Sequence, residues 1–497
     1  MSDVLQFGYG KSVAELQLKR LNRHGIIAGA TGTGKTVTLK VLAEQMSDAG
    51  IPVFLSDIKG DLMSLAQENA GDVTERLSAT HYEDYQPTSY PVELWDVMGE
   101  QGIPVRMTIS EMGPVLLTRL LGLNETQESI LNIVFSVADE RGLLLLDLMD
   151  LRAMLNFVGE HAQELSQYYG NIPARSVGAI LRSLVVLEQQ GGKLFFGEPS
   201  LDIADLMRTD TSGRGVISIL NATQLFSQPT LYSTVLLAIL SELYETLPEV
   251  GDLDKPKMVF FFDEAHVLFK DAPQVLLEKI ELIVRLIRSK GVGVFFVTQN
   301  PTDIPDSIAS QLGNRIQHGL RAFTPKELKT VNAVAETFRQ EEGQDLVRVI
   351  QELKVGEAVV STLGADGTPT FADRVTIYPP KSLLGTADPS LVMSLINRSS
   401  LMDKYAEAFD RESAHEQIQI WAEEKEAALQ QAAEKEKAVK QKVQQEEKEE
   451  VRVKKAAPTR RTDSAMDRFT KNVMSAVGRE AGRMLIRGIT GMLKGKR

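Results

Sequence analysis

The sequence contains no cysteine, and this absence excludes disulfide bonds and thiolate metal sites. Its six histidines occur singly rather than at the spacing of metal ligands. No run approaches the roughly 18 apolar residues needed to cross a bilayer, and the first residues lack the apolar stretch of a secretory signal. These absences favour a cytoplasmic protein in a reducing compartment.

Basic residues are in the minority. The chain carries 55 Lys and Arg against 67 Asp and Glu, a formal net charge of −12. This balance argues against a surface that is basic all over and binds any nucleic acid it meets. A local basic channel is still compatible with it. With 497 residues, of which 43% are hydrophobic, the chain is long enough for a large core.

Apolar runs alternate with helical patterns in a way that predicts a doubly wound α/β domain. A run at 25–28 leads through a glycine-rich turn and a helical pattern to a second run that ends at Asp57. This is a βαβ unit, which implies parallel strands. Further strands are predicted at 258–262, 292–298, 315–320, 358–361 and 374–377.

A complete P-loop pattern lies between the first predicted strand and helix, as Gly29, Ala30, Thr31, Gly32, Thr33, Gly34, Lys35 and Thr36. Glycines let backbone amides wrap round phosphate in conformations that a side chain would obstruct. We expect this loop to bind ATP, with Lys35 bridging the β- and γ-phosphate oxygens and Thr36 binding Mg²⁺. The alternative is a chance match in a glycine-rich loop, and the flanking strand and helix argue against it.

An acidic pair follows the apolar run at 258–262. We expect Asp263 to bind Mg²⁺ through its hydration shell, and Glu264 to orient or deprotonate the attacking water. Two solvated acids in a turn are the alternative. Gln299 ends the next predicted strand and is a candidate sensor of the γ-phosphate, with a strand-capping amide as the alternative. His266 is interpreted as a structural hydrogen-bonding residue.

Six motifs together resemble the HerA and FtsK branch of ring-forming ATPases, and more closely the bacterial HerA-like proteins. They are GATGTGKT at 29–36, SDIKGD at 56–61, FFFDEAH at 260–266, RLIRSKGVG at 285–293, VTQNP at 297–301 and LGNRIQHGLRAFTP at 312–325. The resemblance covers about residues 1–385. Its motifs are weak singly and specific in combination.

The resemblance implies a homo-hexamer of RecA-like domains that hydrolyses ATP between neighbouring subunits and translocates on double-stranded DNA as a helicase-type motor. It also implies an arginine finger, which supplies a cation to the γ-phosphate of the next subunit. Arg315 and Arg321 are both candidates, and either could instead be a surface or salt-bridge arginine.

Archaeal HerA has an N-terminal β-barrel that docks a nuclease. Here only some twenty residues precede the first predicted strand, so a nuclease partner is doubtful.

A ring that moves along DNA needs basic loops on its inner wall. The candidates for these contacts are Lys59, Lys270, Arg285, Arg288 and Lys290. Single basic residues at helix ends are usually only solvated, and this is the alternative for each of them. No zinc finger or basic helix-turn-helix pattern is visible.

The expected architecture is therefore α/β: a RecA-like P-loop NTPase domain with a parallel-core sheet, an all-α insertion and a helical C-terminal extension. The ATPase domain is expected in two parts, 1–104 and 206–385, separated by a helical insertion at 105–205. Asn124 and Gln127 predict the cap of a helix at 125–141 in that insertion. Residues 386–457 are expected to form a charged helical, coiled-coil or disordered linker, and residues 458–497 a basic amphipathic helix.

The C-terminal helix leaves the function open at this point. It could bind an anionic membrane surface, DNA or another protein, or act in oligomerisation. A rival function is therefore a non-motor ATP-dependent switch or scaffold that recruits a protein or membrane through this helix. A third is a motor for protein or single-stranded nucleic acid.

Overall fold

The computed structural model describes residues 3–454 apart from 252, 271 and 273, with side chains up to residue 445. The chain divides into two compact units. The first contains Met1–Glu128 and Arg182–Asp410, and the second contains Ser129–Leu181 and the described part of Arg411–Arg497. The helix predicted at 458–497 lies outside the described residues. In the part that is described, no helix is long and apolar enough to span a membrane.

One sheet of twelve strands organises the described part of the first unit. The strands are β1 Val4–Tyr9, β2 Val13–Gln17, β3 Gly25–Ala28, β4 Val53–Asp57, β5 Val92–Asp96, β6 Ile103–Pro104, β7 Ile217–Asn221, β8 Met258–Phe262, β9 Val292–Thr298, β10 Asn314–His318, β11 Glu357–Ser361 and β12 Asp373–Ile377. Their spatial order is β2-β1-β12-β11-β10-β3-β9-β8-β4-β7-β5-β6. In the part of the sheet that runs from β10 to β6, all neighbouring strands pair in parallel. On the other side of β10, strands β11, β12, β1 and β2 follow in that order, and each pairs antiparallel with the strand before it.

The helical segments of both units follow in chain order. They are α1 Lys35–Asp48, α2 Thr74–Thr80, α3 Ile109–Leu120, α4 Glu125–Arg141, α5 Leu148–Glu160, α6 Ala162–Tyr169, α7 Ala174–Leu187, α8 Lys193–Phe195, α9 Ile203–Leu206, α10 Pro229–Thr246, α11 His266–Phe269, α12 Gln274–Leu286, α13 Asp306–Ala309, α14 Pro325–Glu336, α15 Leu346–Glu352, α16 Pro389–Arg398, α17 Met402–Tyr405 and α18 Ala414–Lys454.

The centre of the sheet is formed by apolar strands that are buried along their whole length. All residues of β8 and β9 are buried, as expected for parallel strands covered on both faces. The rings of Phe262 and Phe296 stack across these strands with centroids 5.3 Å apart. Burying each such side chain stabilises the fold by roughly 1.5–3 kcal/mol. The loops that follow β8 and β9 are therefore supported by the best-packed part of the sheet.

The predicted α/β fold with a parallel-core sheet is confirmed, but the start of the sheet was predicted wrongly. Strands β1 and β2 form a hairpin before β3, so β3 is not the first strand. The register of this hairpin shifts between Gln6 and Gly8. This irregularity interrupts the alternation of apolar and polar residues by which a half-buried strand is recognised. Strands β5, β6 and β7 were also missed.

Helices α3 to α9 lie between β6 and β7. The predicted reciprocal cap of α4 is confirmed: the Asn124 amide donates to Gln127 Oε1 at 3.0 Å, and the Gln127 amide donates to Asn124 Oδ1 at 3.1 Å. The helix has the bounds that were predicted, Glu125–Arg141. The predicted segment 105–205 is divided between the two compact units rather than contained in one.

The second unit is held together by contacts between α5 and the beginning of α18. The buried carboxylate of Asp150 accepts hydrogen bonds from Ser413 Oγ at 2.5 Å and from the His415 amide at 2.8 Å. The guanidinium of Arg141 lies 4.7 Å from the ring centroid of Phe157 and 5.9 Å from that of Trp421. Within the segment predicted as a charged linker, the described part of the chain after Trp421 forms a helix.

Candidate nucleotide site

The P-loop connects β3 to α1 at the carboxyl edge of the sheet. Gly29, Gly32 and Gly34 have φ angles of 153°, 77° and 113°, which side chains rarely permit. A Cβ atom at Gly29 would also lie 2.5 Å from the Cβ of His318. The loop therefore requires glycine at these three positions, in agreement with a loop whose backbone faces a ligand.

The side chains of the P-loop bind their own backbone in this structure. Lys35 Nζ donates to the carbonyl oxygens of Gly29 at 2.7 Å and Ala30 at 3.1 Å. Thr33 Oγ1 donates to the same Ala30 oxygen at 2.7 Å. Thr36 lies half-buried in the first turn of α1, and Thr31 at the tip of the loop is exposed. The ammonium group of Lys35 is thus held at the mouth of the loop.

Sheet pairing explains why the acidic pair lies near the P-loop. Ala28 of β3 pairs with Thr298 of β9, and Phe296 of β9 pairs with Phe262 of β8. All three strands are parallel, so the residues that follow them share one edge. Burial lowers the pKa of Lys35, and the Glu264 and Asp263 carboxylates oppose that shift.

The two carboxylates of the pair have different surroundings. Burial, followed by the charge of Glu264, raises the pKa of Asp263 to about 7, against the effects of a hydrogen bond from the Glu264 amide and the cations Lys59 and Lys35. That amide lies 2.9 Å from Asp263 Oδ1. Glu264 has a positive φ of 48°, unusual for a residue with a side chain, which marks a backbone held by its neighbours.

Gln299 is the direct partner of Glu264. Its Nε2 donates to both carboxylate oxygens of Glu264, at 3.3 and 3.4 Å. His266 Nδ1 lies 3.3 Å from Glu264 Oε2 but does not have hydrogen-bond geometry to it. The side chain of Gln299, the predicted sensor, is therefore hydrogen-bonded to Glu264, the predicted base, and His266 lies next to them.

Sequence reasoning missed a buried tyrosine that anchors this edge. Tyr232 of α10 donates a hydrogen bond from its hydroxyl to the carbonyl oxygen of Asp263 at 2.9 Å. The same hydroxyl lies 2.8 Å from Ser56 Oγ at the end of β4. Nothing in the sequence distinguishes Tyr232 from the apolar residues around it, because only the packing of α10 on the sheet brings it to Asp263.

A second missed group supports the P-loop from the side of β10 and β11. The Gly356 amide donates to the carbonyl oxygen of Thr33 at 3.0 Å. Arg76 donates to the carbonyl oxygens of Val355 at 3.2 Å and Gly356 at 3.4 Å. His318 links Thr38 Oγ1 at 2.9 Å to the Glu357 carbonyl oxygen at 2.8 Å, and burial lowers its pKa to about 4. The imidazole is therefore neutral at pH 7.

The two arginines considered as fingers occupy different places. Arg315 pairs with Ile26 in the middle of the sheet, is half-buried, and donates to the Ala309 carbonyl oxygen at 2.9 Å. Arg321 is exposed, lies beyond the carboxyl end of β10 and donates to the Leu353 carbonyl oxygen at 3.0 Å. Only Arg321 is therefore on the edge that carries the P-loop.

The basic residues considered for DNA contact do not form one group. Lys59 follows β4 at the carboxyl edge, whereas Arg285, Arg288 and Lys290 precede the amino end of β9 at the opposite edge. Arg285, Arg288 and Lys270 are exposed. Lys290 donates to the Leu247 carbonyl oxygen, and its ammonium group lies 5.0 Å from the centroid of the Tyr244 ring.

With this geometry established, comparison with known families identifies the chain. The profile of the helicase HerA-like C-terminal family matches residues 6–497, which is nearly the whole sequence. The chain belongs to this family. It is therefore a P-loop NTPase of the HerA type, as its motifs predicted.

Archaeal relatives of this HerA-like chain are distant in sequence. The DNA double-strand break repair helicase HerA of Sulfurisphaera tokodaii is 23% identical over 356 residues, which cover 69% of this chain and 63% of the relative. The protein of the same description from Saccharolobus solfataricus is 24% identical over 374 residues, covering 71% of this chain and 64% of the relative. The chain thus spans less than two thirds of the length of these relatives.

Solved structures share the fold of the HerA-like chain. The plasmid coupling protein TrwB, in complex with the ATP analogue ADPNP, has a TM-score of 0.50 at 15% identity, covering 74% of this chain and 88% of that chain. TrwB with the GTP analogue GDPNP has a TM-score of 0.50 at 13% identity, covering 78% and 92%. At these identities the likeness concerns the fold alone.

The HerA-like site fits a nucleotide with Mg²⁺. Its glycines adopt backbone conformations that side chains rarely permit, and the ammonium of Lys35 is held by the carbonyl oxygens of that loop. The carboxylate of Asp263 follows β8 at the same edge, and the hydroxyl of Thr36 is in the first turn of α1. These are the oxygen ligands that Mg²⁺ prefers.

Proposed function

We propose that this chain hydrolyses ATP as a subunit of a ring-forming homo-hexamer that translocates on double-stranded DNA. The observation that carries the proposal is the meeting of Lys35, Asp263, Glu264 and Gln299 at one sheet edge, although they come from distant parts of the sequence. Membership of the HerA-like family supports the motor, and the archaeal relatives are described as helicases.

Each residue has a role that its surroundings support. Bound ATP and Mg²⁺ supply the reactive phosphate and its charge-neutralising metal. Lys35 exchanges the carbonyl oxygens of its own loop for phosphate oxygens, while Thr36 and Asp263 hold the metal and its water shell. Glu264 accepts the proton of the attacking water, and Gln299 keeps its carboxylate in place.

We further propose that Arg321 acts in trans on the site of the next subunit. Its side chain is exposed at the nucleotide edge, whereas Arg315 is half-buried within its own sheet. Because this cation would reach the site only when the subunits assemble, hydrolysis would depend on formation of the ring.

Arg285 and Arg288, both exposed, are the proposed contacts to DNA phosphates. No nuclease partner is proposed, and the protein is proposed to act in the cytoplasm.

The test compares wild type with Glu264→Gln in ATP turnover and DNA binding. The variant should bind ATP but turn over about 10²–10⁴ times more slowly, because its amide cannot accept the proton. Duplex DNA should stimulate the wild type, and the variant should retain DNA in the presence of ATP. Glu249→Gln, an exposed residue outside the site, is the matched control and should behave as wild type.

Electron micrographs with a slowly hydrolysed ATP analogue and duplex DNA should reveal rings with occupied channels. Turnover that ignores DNA, together with the absence of rings, would contradict the motor. Binding of a protein or membrane that depends on nucleotide would then favour a switch or scaffold.

A further inference from the structure

The SDIKGD segment contains a lysine that the proposed mechanism leaves without a role. The segment turns sharply after β4, because the buried carboxylate of Asp57 accepts four backbone N–H groups. Asp57 Oδ1 accepts from Lys59 at 3.2 Å and Gly60 at 2.7 Å, and Oδ2 accepts from Leu62 at 2.9 Å and Met63 at 3.3 Å. Gly60 has a φ of 77°, which suits this turn. The backbone that carries Lys59 is therefore fixed.

This turn is adjacent to the acidic pair. Strand β4 pairs with β8 as far as Leu55 opposite Phe261, so the residues that follow the two parallel strands leave the sheet at the same edge. The hydroxyl of Tyr232 bonds both Ser56 and the backbone of Asp263, and so connects the two strand ends. The long, flexible stem of a lysine that follows β4 can therefore extend along this edge.

The side chain of Lys59 is exposed, and its ammonium group has no hydrogen-bond or ion-pair partner among the described residues. It follows β4, the strand next to the one that delivers Asp263 and Glu264, at the carboxyl edge that also carries the P-loop. Lys59 is therefore beside the acidic pair, on the edge of the sheet at which a phosphate group would be held.

We propose that Lys59 is a catalytic residue that contacts the γ-phosphate from its own subunit, on the side opposite Lys35. An ammonium group beside the acidic pair, on the side away from the P-loop, stabilises the negative charge that develops on the transferred phosphoryl group. The inference rests on the proposed ATP hydrolysis and replaces the interpretation of Lys59 as a DNA contact. A DNA contact would leave turnover in the absence of DNA unchanged.

The experiment uses the full chain with Lys59→Ala, Lys59→Arg and, as a matched exposed lysine on α14, Lys329→Ala. Turnover is measured with Mg²⁺, with and without duplex DNA, and affinities for ATPγS and ADP are measured by calorimetry. Removal of one charge-stabilising donor costs about 10²–10³ in kcat in well-studied sites. Lys59→Ala should therefore lose at least about 10-fold in DNA-free kcat. It should bind ATPγS more weakly with little change for ADP, and Lys59→Arg should recover part of both losses.

Unchanged DNA-free turnover in Lys59→Ala would overturn the inference, as would a loss confined to the DNA-stimulated rate. An equal loss of ATPγS and ADP affinity would also overturn it, since a γ-phosphate contact is absent from ADP. If wild type itself fails to hydrolyse ATP, the proposed function is wrong, and the ATPγS and ADP comparison then decides on Lys59 alone.

Discussion

Replacement of Glu44 by alanine should strongly destabilise the helix that carries the P-loop lysine. Glu44 is on α1 with only 1% of its surface exposed. Its Oε2 accepts the Lys381 amide at 2.8 Å, and its Oε1 accepts the Ser382 amide at 3.0 Å and the Ser382 hydroxyl at 2.5 Å. Lys40, one turn earlier, is also buried and donates to Ser64 Oγ at 2.7 Å. The carboxylate of Glu44 thus connects α1 to the segment after β12.

The size of the effect follows from what the substitution leaves behind. Two backbone amides and one hydroxyl lose their acceptor in a buried place, at about 1–3 kcal/mol for each unsatisfied group. Lys40 loses the carboxylate that most strongly opposes the lowering of its pKa by burial, to about 8. Because the three donors share one carboxylate and their losses overlap, we expect about 3–5 kcal/mol for Glu44→Ala.

Urea unfolding followed by circular dichroism measures this effect, with Asp48→Asn as the control. Asp48 is one turn further along α1 and bonds Lys381 Nζ at 3.1 Å, but 34% of its side chain is exposed. A pair of this kind contributes about 0–1 kcal/mol. A loss in Glu44→Ala no larger than in Asp48→Asn would refute the reasoning.

Two further predictions concern groups around the nucleotide. Arg321→Ala should be inactive alone and regain some turnover when mixed with Glu264→Gln subunits, since each supplies what the other lacks; inactivity at every mixing ratio would argue against a finger in trans. Arg76→Ala should weaken ATP binding about fivefold, equivalent to one hydrogen bond of ~1 kcal/mol, because the loop at Val355 and Gly356 would no longer brace Thr33. An unchanged Kd in calorimetry would contradict that bracing.

The centre of the fold could be predicted from the sequence because its local signals agree. Strand β8 was predicted with its observed bounds, and so was β9, since each is a continuous apolar run followed by polar residues. Strand β5 was missed because two of its five residues, Glu93 and Asp96, are acidic, and an acidic residue is untypical of a strand. It pairs with β7 and β6, which only the folded sheet brings beside it.

The location of a candidate site residue could be predicted from the sequence where that residue directly follows a parallel strand. Asp263 and Gln299 follow β8 and β9, so their positions are fixed by strand order and register alone. Because β8 and β9 are neighbouring strands, the residues that follow them can meet, as Glu264 and Gln299 do. Tyr232 and Arg76 were missed because they are brought to the site by helices, whose placement depends on packing and not on a local pattern.

The basic residues illustrate the same limit, because charge alone does not say which edge of a sheet a side chain occupies. Lys59 and Lys290 look alike in the sequence, because each is in a short motif near a strand. In the fold, Lys59 follows the carboxyl end of β4, while Lys290 precedes the amino end of β9 and bonds the Leu247 carbonyl oxygen. In parallel α/β sheets, ligands bind outside the carboxyl ends of the strands. Of these two lysines, therefore, only Lys59 is on the side from which a phosphate can be reached.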